Sequence, residues 1–355
     1  MLRLLLVRFG AVSANSNGSA LLRRITVMLS EREAHAMWYG GKPVPRALRF
    51  WSFAYGVLTG LRRALYAARL LRRTRLPVPV VIVGNITAGG TGKTPLVIAL
   101  VEALRSRGFN PGVVSRGYGG TAERIMRVNS HSEPHLVGDE ARLIFDATQV
   151  PLCVGRNRAA AAQTLLKAAP VDVIIADDGL QHYALARDVE ICVIDGMRRF
   201  GNSLLLPAGP LREPLRRLAN VTFLVCNGGI PEPGEVLMML QGDTLVSLAD
   251  AQRQQPLAAL RGRQVHAVAG IGNPTRFFAQ LRAAGLDPIE HVFSDHHAYS
   301  AREIVFDDAL PVVMTEKDAV KCRTFAQAQD WYLPVRAELP ADFFDAVAQR
   351  LRTSA

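Results

Sequence analysis

The chain has 355 residues, 49% hydrophobic and 21% charged, a composition that fits a folded protein of about two domains and excludes a disordered chain. Its four cysteines, Cys153, Cys192, Cys226 and Cys322, are isolated and form no CxxC pair, which argues against a disulfide scaffold or structural zinc site and for a reducing compartment. The formal charge of +11 is concentrated: residues 1–75 hold fourteen Arg or Lys against Glu31 and Glu33, a net of +12, which leaves −1 for the other 280 residues.

Residues 1–27 read as a poorly ordered extension. Met1–Val12 is too short and too interrupted by Arg8 for a signal-peptide core, and Met28 offers an alternative start. Residues 28–75 carry ten of those fourteen basic residues, and no acidic residue occurs from Ala34 to Val101. Arg62, Arg63, Arg69, Arg72 and Arg73 interleave there with Phe50, Trp51, Phe53, Leu58 and Leu61. The longest charge-free stretch of this segment, Phe50–Leu61, has twelve residues, whereas a membrane-spanning helix needs about 20. The pattern predicts an interfacial amphipathic helix over Arg46–Arg73 that meets an anionic membrane surface, peripheral or monotopic. The plainer alternative is a helix packed on its own domain with a solvated basic face. Because the charge sits on this segment and not on the body, nucleic acid is not an expected partner.

Beyond the proline-containing break at Leu76–Pro79, strands and helices alternate. Val80–Val83, Gly112–Ser115, Leu152–Val154, Val173–Ala176, Glu190–Ile194 and Val221–Cys226 read as short buried strands. Pro95–Gly108, Gly138–Gln149 and Asn157–Ala168 read as helices. The alternation predicts an α/β fold with a mostly parallel, doubly wound sheet, in which ligands gather at the carboxyl ends of strands. Gly228–Gly234, with three glycines and two prolines, reads as a linker. The expected organisation is therefore a nucleotide-binding domain over 76–228 and a smaller α/β domain over 229–355.

The strongest local signal is Gly84–Thr94, GNITAGGTGKT, between a predicted strand and a predicted helix. Glycines at Gly89, Gly90 and Gly92, with Thr91, let backbone N–H groups converge on phosphate oxygens, and the helix N-terminus adds positive potential. Lys93 is placed to reach the β- and γ-phosphates of ATP or GTP, and the Thr94 hydroxyl to sit on Mg²⁺. The strict P-loop pattern wants a glycine where this chain has Thr87. Asp177 and Asp178, at the end of the apolar run Val173–Ala176, are the candidate carboxylates for the metal.

These segments resemble tetraacyldisaccharide 4′-kinase, the lipid A 4′-kinase of Gram-negative bacteria. The resemblance runs from about Trp38 and rests on Trp38–Gly41, Gly84–Pro95, Ser115–Gly120, Gly138–Glu140, Asp177–His182, Pro207–Pro214, Gly270–Pro274 and Thr315–Asp318. The family's loop is itself GNxxxGGTGKTP, so Thr87 is a family trait. The resemblance implies a P-loop NTPase-like fold of two α/β domains on the cytoplasmic face of the inner membrane, with ATP and Mg²⁺. It implies as acceptor the 4′-hydroxyl of a tetraacylated, singly phosphorylated glucosamine disaccharide, the lipid A precursor. No obligate protein partner is expected.

By the same resemblance Asp139 is the base that orients the acceptor hydroxyl, and His296 in Asp295-His296-His297 pairs with it. His297 stays open as the alternative. Glu140 and Gln181 are implied near the metal, and Arg158 and Arg212 near substrate or phosphate, where arginines stabilise charge on a transferring phosphoryl group. His182 is implied at the strand end or the substrate. The rival reading is a P-loop GTPase or metallochaperone-like switch, which wants an [NT]-K-x-D motif. Thr315-Glu316-Lys317-Asp318 has its lysine one place late, and no His/Cys cluster accompanies it.

Overall fold

The computed structural model describes residues 31–121 and 124–354, so the extension expected over residues 1–27 lies outside the described residues. The chain divides into two compact units. One holds the described residues through Leu61 together with Phe200–Leu215; the other holds Arg62–Arg199 and the chain from Arg216.

In the first unit, α1 (Glu31–Trp38) precedes α2 (Arg46–Ala67), which runs on past Leu61. The 200–215 segment is tied to both. Trp38 Nε1 donates to the Pro207 carbonyl at 3.2 Å, and Asn202 Nδ2 reaches the Met37 and Ala208 carbonyls at 3.2 and 2.9 Å. On α2, Ser52 donates to the Leu205 carbonyl at 2.8 Å and Tyr55 to the Arg212 carbonyl at 3.0 Å. The face of α2 that meets its own unit is thus small and polar. At helical spacing from it stand Phe50, Phe53, Val57 and Leu61, between 55% and 71% exposed. This is the reverse of an ordinary surface helix, whose apolar stripe turns inward.

The second unit is built on a nine-stranded sheet. Its strands are β1 (Val80–Gly84), β2 (Pro111–Ser115), β3 (Met126–Arg127), β4 (Leu152–Val154), β5 (Val173–Asp177), β6 (Val189–Asp195), β7 (Phe223–Asn227), β8 (Glu235–Gln241) and, far along the chain, β15 (Arg336–Glu338). Their order is β15-β8-β7-β6-β1-β5-β2-β4-β3, parallel except at the two edges. β1, β2, β5 and β6 are buried along their whole length, as the unbroken Val and Ile runs require of a sheet covered on both faces. The chain leaves β1 toward β2 and later returns to β6 on the other side of β1, which makes the carboxyl end of β1 a switch point. Helices α3 (Lys93–Ser106), α4 (Pro134–Val137), α5 (Asp139–Thr148) and α6 (Arg158–Ala168) connect these strands. α3 sets Leu96, Val97, Leu100, Val101 and Leu104 into the core.

A second sheet of six strands has the order β10-β9-β14-β13-β11-β12. It comprises β9 (Thr244–Ser247), β10 (Gln254–Pro256), β11 (Gln264–Ala269), β12 (Asp287–Val292), β13 (Val312–Thr315) and β14 (Asp330–Leu333). Helices α7 (Pro274–Ala283), α8 (Ala301–Ile304) and α9 (Glu316–Cys322) accompany it. The expected linker at Gly228–Gly234 joins β7 to β8, which pair in parallel within the first sheet. The chain crosses to the second sheet only after β8. It then comes back through β15 and α10 (Ala341–Ser354), whose Phe343, Val347 and Leu351 pack in the first core.

Candidate active site

The phosphate loop leaves β1 at Gly84 and ends at Gly92, where α3 begins. Gly89 and Gly92 adopt φ of 98° and 89°, a region open to glycine at little cost. Asn85 organises the loop from inside: its Nδ2 donates to the Gly89 carbonyl at 3.3 Å, and its Oδ1 accepts from Lys93 Nζ at 3.4 Å. Gln181 Nε2 holds the Asn85 carbonyl at 3.0 Å. The position that departs from the strict pattern, Thr87, is buried and within 3.5 Å of Asn85 Nδ2.

The carboxylates at the end of β5 face this loop. Lys93 Nζ lies 3.5 Å from Asp178 Oδ1. Asp178 has φ of 47°, a strained value for a non-glycine residue that often marks a functional position. Arg158 Nη2 braces its carbonyl at 3.1 Å. Asp177 is fully buried, and Ser115 at the end of β2 donates to its Oδ2 at 3.1 Å. Burial, with Glu140 and Asp178 nearby, pushes the Asp177 carboxyl up to about 7. His182 is driven down to about 4 by burial and by the charges of Arg158 and Arg187.

Asp139 opens α5, and His296 comes from the loop after β12. The imidazole Nδ1 stands 2.9 and 3.0 Å from the two Asp139 oxygens. His297 instead meets Glu303 at 2.9 Å, so the ring that pairs with Asp139 is His296. Like Asp178, His296 has positive φ, 62°, and Tyr118 lies against its ring with centroids 4.7 Å apart. Burial pushes the Asp139 carboxyl up, but the His296 hydrogen bond and the charges of Lys317 and Lys321 outweigh it and bring the group down to about 2.

Lys317 gathers further side chains around the Asp139–His296 pair. Its Nζ is 3.0 Å from Glu140, 3.1 Å from Asp295 and 3.3 Å from His296 Nε2. Burial disfavours its charge, yet Glu140, Asp295 and Asp139 together hold the ammonium above its ordinary value. Lys321 adds a contact to Asp139 at 3.8 Å. Lys317, Lys321 and Asn85 were not singled out as site residues in the sequence; the only available signals were the Thr315–Asp318 and GNxxxGG motifs. Arg212 belongs to the 200–215 segment of the first unit and not to the unit that carries the loop.

A cavity of about 190 Å³ opens beside the loop. It is lined by Gly90–Pro95, by Glu140 and Lys317, and by an apolar wall that includes Ile98, Leu143, Ile271 and Phe277. The Thr315–Asp318 motif does not present a guanine-reading carboxylate to it. Asp318 is buried and spends Oδ2 on the Gly270 N–H at 2.8 Å and the Thr315 hydroxyl at 2.6 Å.

Residues 44–352 match the family described as Tetraacyldisaccharide-1-P 4'-kinase. The chain belongs to this family. Among its relatives, the tetraacyldisaccharide 4'-kinase of Stenotrophomonas maltophilia is 50% identical over 326 residues, which cover 88% of this chain and 95% of that protein. The tetraacyldisaccharide 4'-kinase of Methylobacillus flagellatus is 50% identical over 315 residues, covering 88% and 94%. Among solved structures, LpxK from Aquifex aeolicus in complex with ATP superposes with a TM-score of 0.71 at 26% identity, covering 85% of this chain and 96% of that one. Membership of the tetraacyldisaccharide 4'-kinase family makes the chain a kinase, a phosphotransferase on an α/β P-loop scaffold.

Proposed function

We propose that this kinase moves the γ-phosphoryl group of ATP onto the 4′-hydroxyl of a tetraacylated glucosamine disaccharide 1-phosphate, at the cytoplasmic face of the inner membrane. The observation that carries the reading is the joining of a phosphate end to an acceptor end. Lys93 and Asp178 meet at 3.5 Å, Asp139 and His296 meet at 2.9 Å, and Lys93 lines one cavity with Glu140 and Lys317, the residues beside Asp139 and His296. In-line phosphoryl transfer needs these two ends and little covalent chemistry from the protein.

Lys93, Thr94 and the backbone of Gly89–Gly92 hold the triphosphate, and the apolar wall of the adjoining cavity suits a flat nucleobase. A Mg²⁺ ion fits the donor set. Asp177 Oδ1 is buried without a hydrogen-bond partner, and its proton affinity is raised first by burial and then by the charges of Glu140 and Asp178, which a cation would offset. Among the described residues no group of three His, Cys, Asp or Glu could hold a metal ion, and Mg²⁺ commonly takes one or two carboxylates together with water and phosphate. Thr94, Asp178 and Asp177 are the residues that would hold it, with Glu140, bound to Lys317, and Gln181, bound to the Asn85 carbonyl, as helpers near it. When bound, it supplies neutralisation of charge on the transferring group.

Asp139 stays ionised at neutral pH and accepts a hydrogen bond from the sugar hydroxyl. An alcohol is a weak acid, so the carboxylate orients it and takes its proton late, with His296 behind to share the charge. Arg158 fixes the strand end that carries Asp178, and Arg212 is assigned to the substrate.

The acceptor's acyl chains remain in the bilayer, because drawing each CH₂ into water costs about 0.8 kcal/mol. The outward apolar stripe Phe50, Phe53, Val57 and Leu61 is the surface assigned to reach them there. Among the described residues no helix is long and apolar enough to cross a membrane. Turnover of ATP and GTP, each with and without the lipid disaccharide, tests the reading. ATP consumption that needs the acceptor is expected. GTP hydrolysis indifferent to it would favour the switch.

A further inference from the structure

The phosphate loop is held from outside by two side chains that the sequence motifs do not mark. Arg198 follows β6 and is anchored by its own strand end: its Nε donates to Asp195 Oδ2 at 2.8 Å. Its Nη2 then reaches the Gly90 carbonyl at 2.6 Å and its Nη1 the Gly272 carbonyl at 2.8 Å. Asn227 closes β7. Its Nδ2 donates to the Thr91 carbonyl at 2.9 Å, while its Oδ1 accepts from Arg276 Nη1 at 2.8 Å. Each side chain therefore grips one loop carbonyl and one residue beyond β11, Gly272 in the β11–α7 connection for Arg198 and Arg276 in the first turn of α7 for Asn227. That connection lies directly on the loop: a Cβ added at Gly272 would come within 2.4 Å of the Gly90 nitrogen. Asn273 also reaches Asp195, at 3.3 Å.

We infer that Arg198 and Asn227 are positioning residues for the nucleotide phosphates, and that through them the second sheet sets the shape of the phosphate loop. The reason is the planarity of the peptide group. C=O and N–H of one trans peptide point in opposite directions. Pinning the Gly90 carbonyl to Arg198 turns the Thr91 N–H to the other side of the loop, and pinning the Thr91 carbonyl to Asn227 does the same for the Gly92 N–H. Those are N–H groups a phosphate cradle needs to converge. Glycine-rich backbone resists such rotation weakly, so the orientation has to be imposed from outside. The guanidinium does so with three contacts in a rigid fork, and the amide by donating to the loop while accepting from Arg276.

The inference rests on the nucleotide reading of the loop, and the test separates the two. Affinity for ATP is measured on the full chain with Mg²⁺, by equilibrium binding without acceptor and by the KM for ATP with acceptor, in Arg198→Ala, Arg198→Lys, Asn227→Ala and Gly272→Ala. Lysine keeps the charge but not the fork. Gly272→Ala keeps every hydrogen-bonding side chain and forces the two loops apart. Loss of a charge-assisted contact is worth about tenfold or more in affinity. We expect ATP affinity to fall about tenfold or more in the two alanine variants and in Gly272→Ala, little rescue by Arg198→Lys, and an unchanged KM for the lipid acceptor. Circular dichroism and melting temperature identify any variant that has simply unfolded. Wild-type ATP affinity in folded Arg198→Ala and Asn227→Ala overturns the inference and leaves the kinase reading intact. A wild-type chain that binds no ATP removes the nucleotide reading itself.

Discussion

Replacing Asp139 with Asn removes one charge and little volume from the centre of the site. In the folded protein the carboxyl is shifted from 3.8 to about 2. At about 1.36 kcal/mol per pKa unit, the fold favours the ionised over the neutral group by about 2 kcal/mol more than the unfolded chain does. The side chain is only 4% exposed, so solvent screening takes little from this figure. A depressed carboxyl contributes its stability above the unfolded value near 3.8 and loses it as pH falls through about 2. Asp139→Asn is therefore expected to cost about 2 kcal/mol at pH 7, with the cost shrinking toward zero as both proteins are taken below pH 2. Urea denaturation followed across pH reads this directly. In turnover, loss of the group that orients the hydroxyl lowers kcat by about 100-fold or more, while the KM for ATP stays within about twofold. A variant as stable as wild type at pH 7 refutes the electrostatic reasoning. A kcat near wild type refutes the catalytic role, and a KM for ATP that rises as steeply as kcat falls makes Asp139 a ligand of the nucleotide or metal.

Lys93→Ala is expected to lose about 100-fold or more in kcat, since this ammonium neutralises charge that grows toward the transition state; single-turnover kinetics check it. The triple substitution Phe50→Ser, Phe53→Ser and Leu61→Ser removes three side chains, each worth about 1.5–3 kcal/mol if buried in lipid. Sedimentation with anionic vesicles should show at least about tenfold weaker binding, while turnover of a short-chain soluble acceptor holds. Phe278 is 1% exposed in the core of the second sheet, and Phe278→Ala should cost about 3–5 kcal/mol by chemical denaturation.

What the sequence disclosed follows from how local each signal is. The loop Gly84–Thr94 and the Asp177–Asp178 strand end are contiguous patterns of glycine, charge and β-branched residues, and both stand where those patterns put them. Asp139 and His296 are 157 positions apart, and no periodicity joins them. Their pairing was legible through the family resemblance alone. Lys317 was hidden because a lone lysine after Thr-Glu has the look of a surface residue; its importance lies in three acidic or imidazole partners that the fold gathers from α5 and the β12 loop. The position of the boundary between the sheets was hidden for a similar reason. β15 has only three residues, two of them exposed, and carries too little pattern to show that the chain returns to the first sheet. The inverted polarity of α2 was half legible. Composition gave the apolar and basic character, but only the bonds from Ser52 and Tyr55 to the 200–215 segment settle which face turns out.

The central claim is acceptor-directed phosphoryl transfer from a triphosphate held by Gly84–Thr94. It is tested most directly by incubating the protein with γ-labelled ATP, Mg²⁺ and the tetraacylated disaccharide 1-phosphate in detergent micelles, then locating the label by mass spectrometry and phosphorus NMR. The account predicts one new phosphomonoester, at the 4′ oxygen, formed by the wild-type chain and lost in Lys93→Ala. Label released only as inorganic phosphate, or a lipid product formed equally by Lys93→Ala, would contradict it.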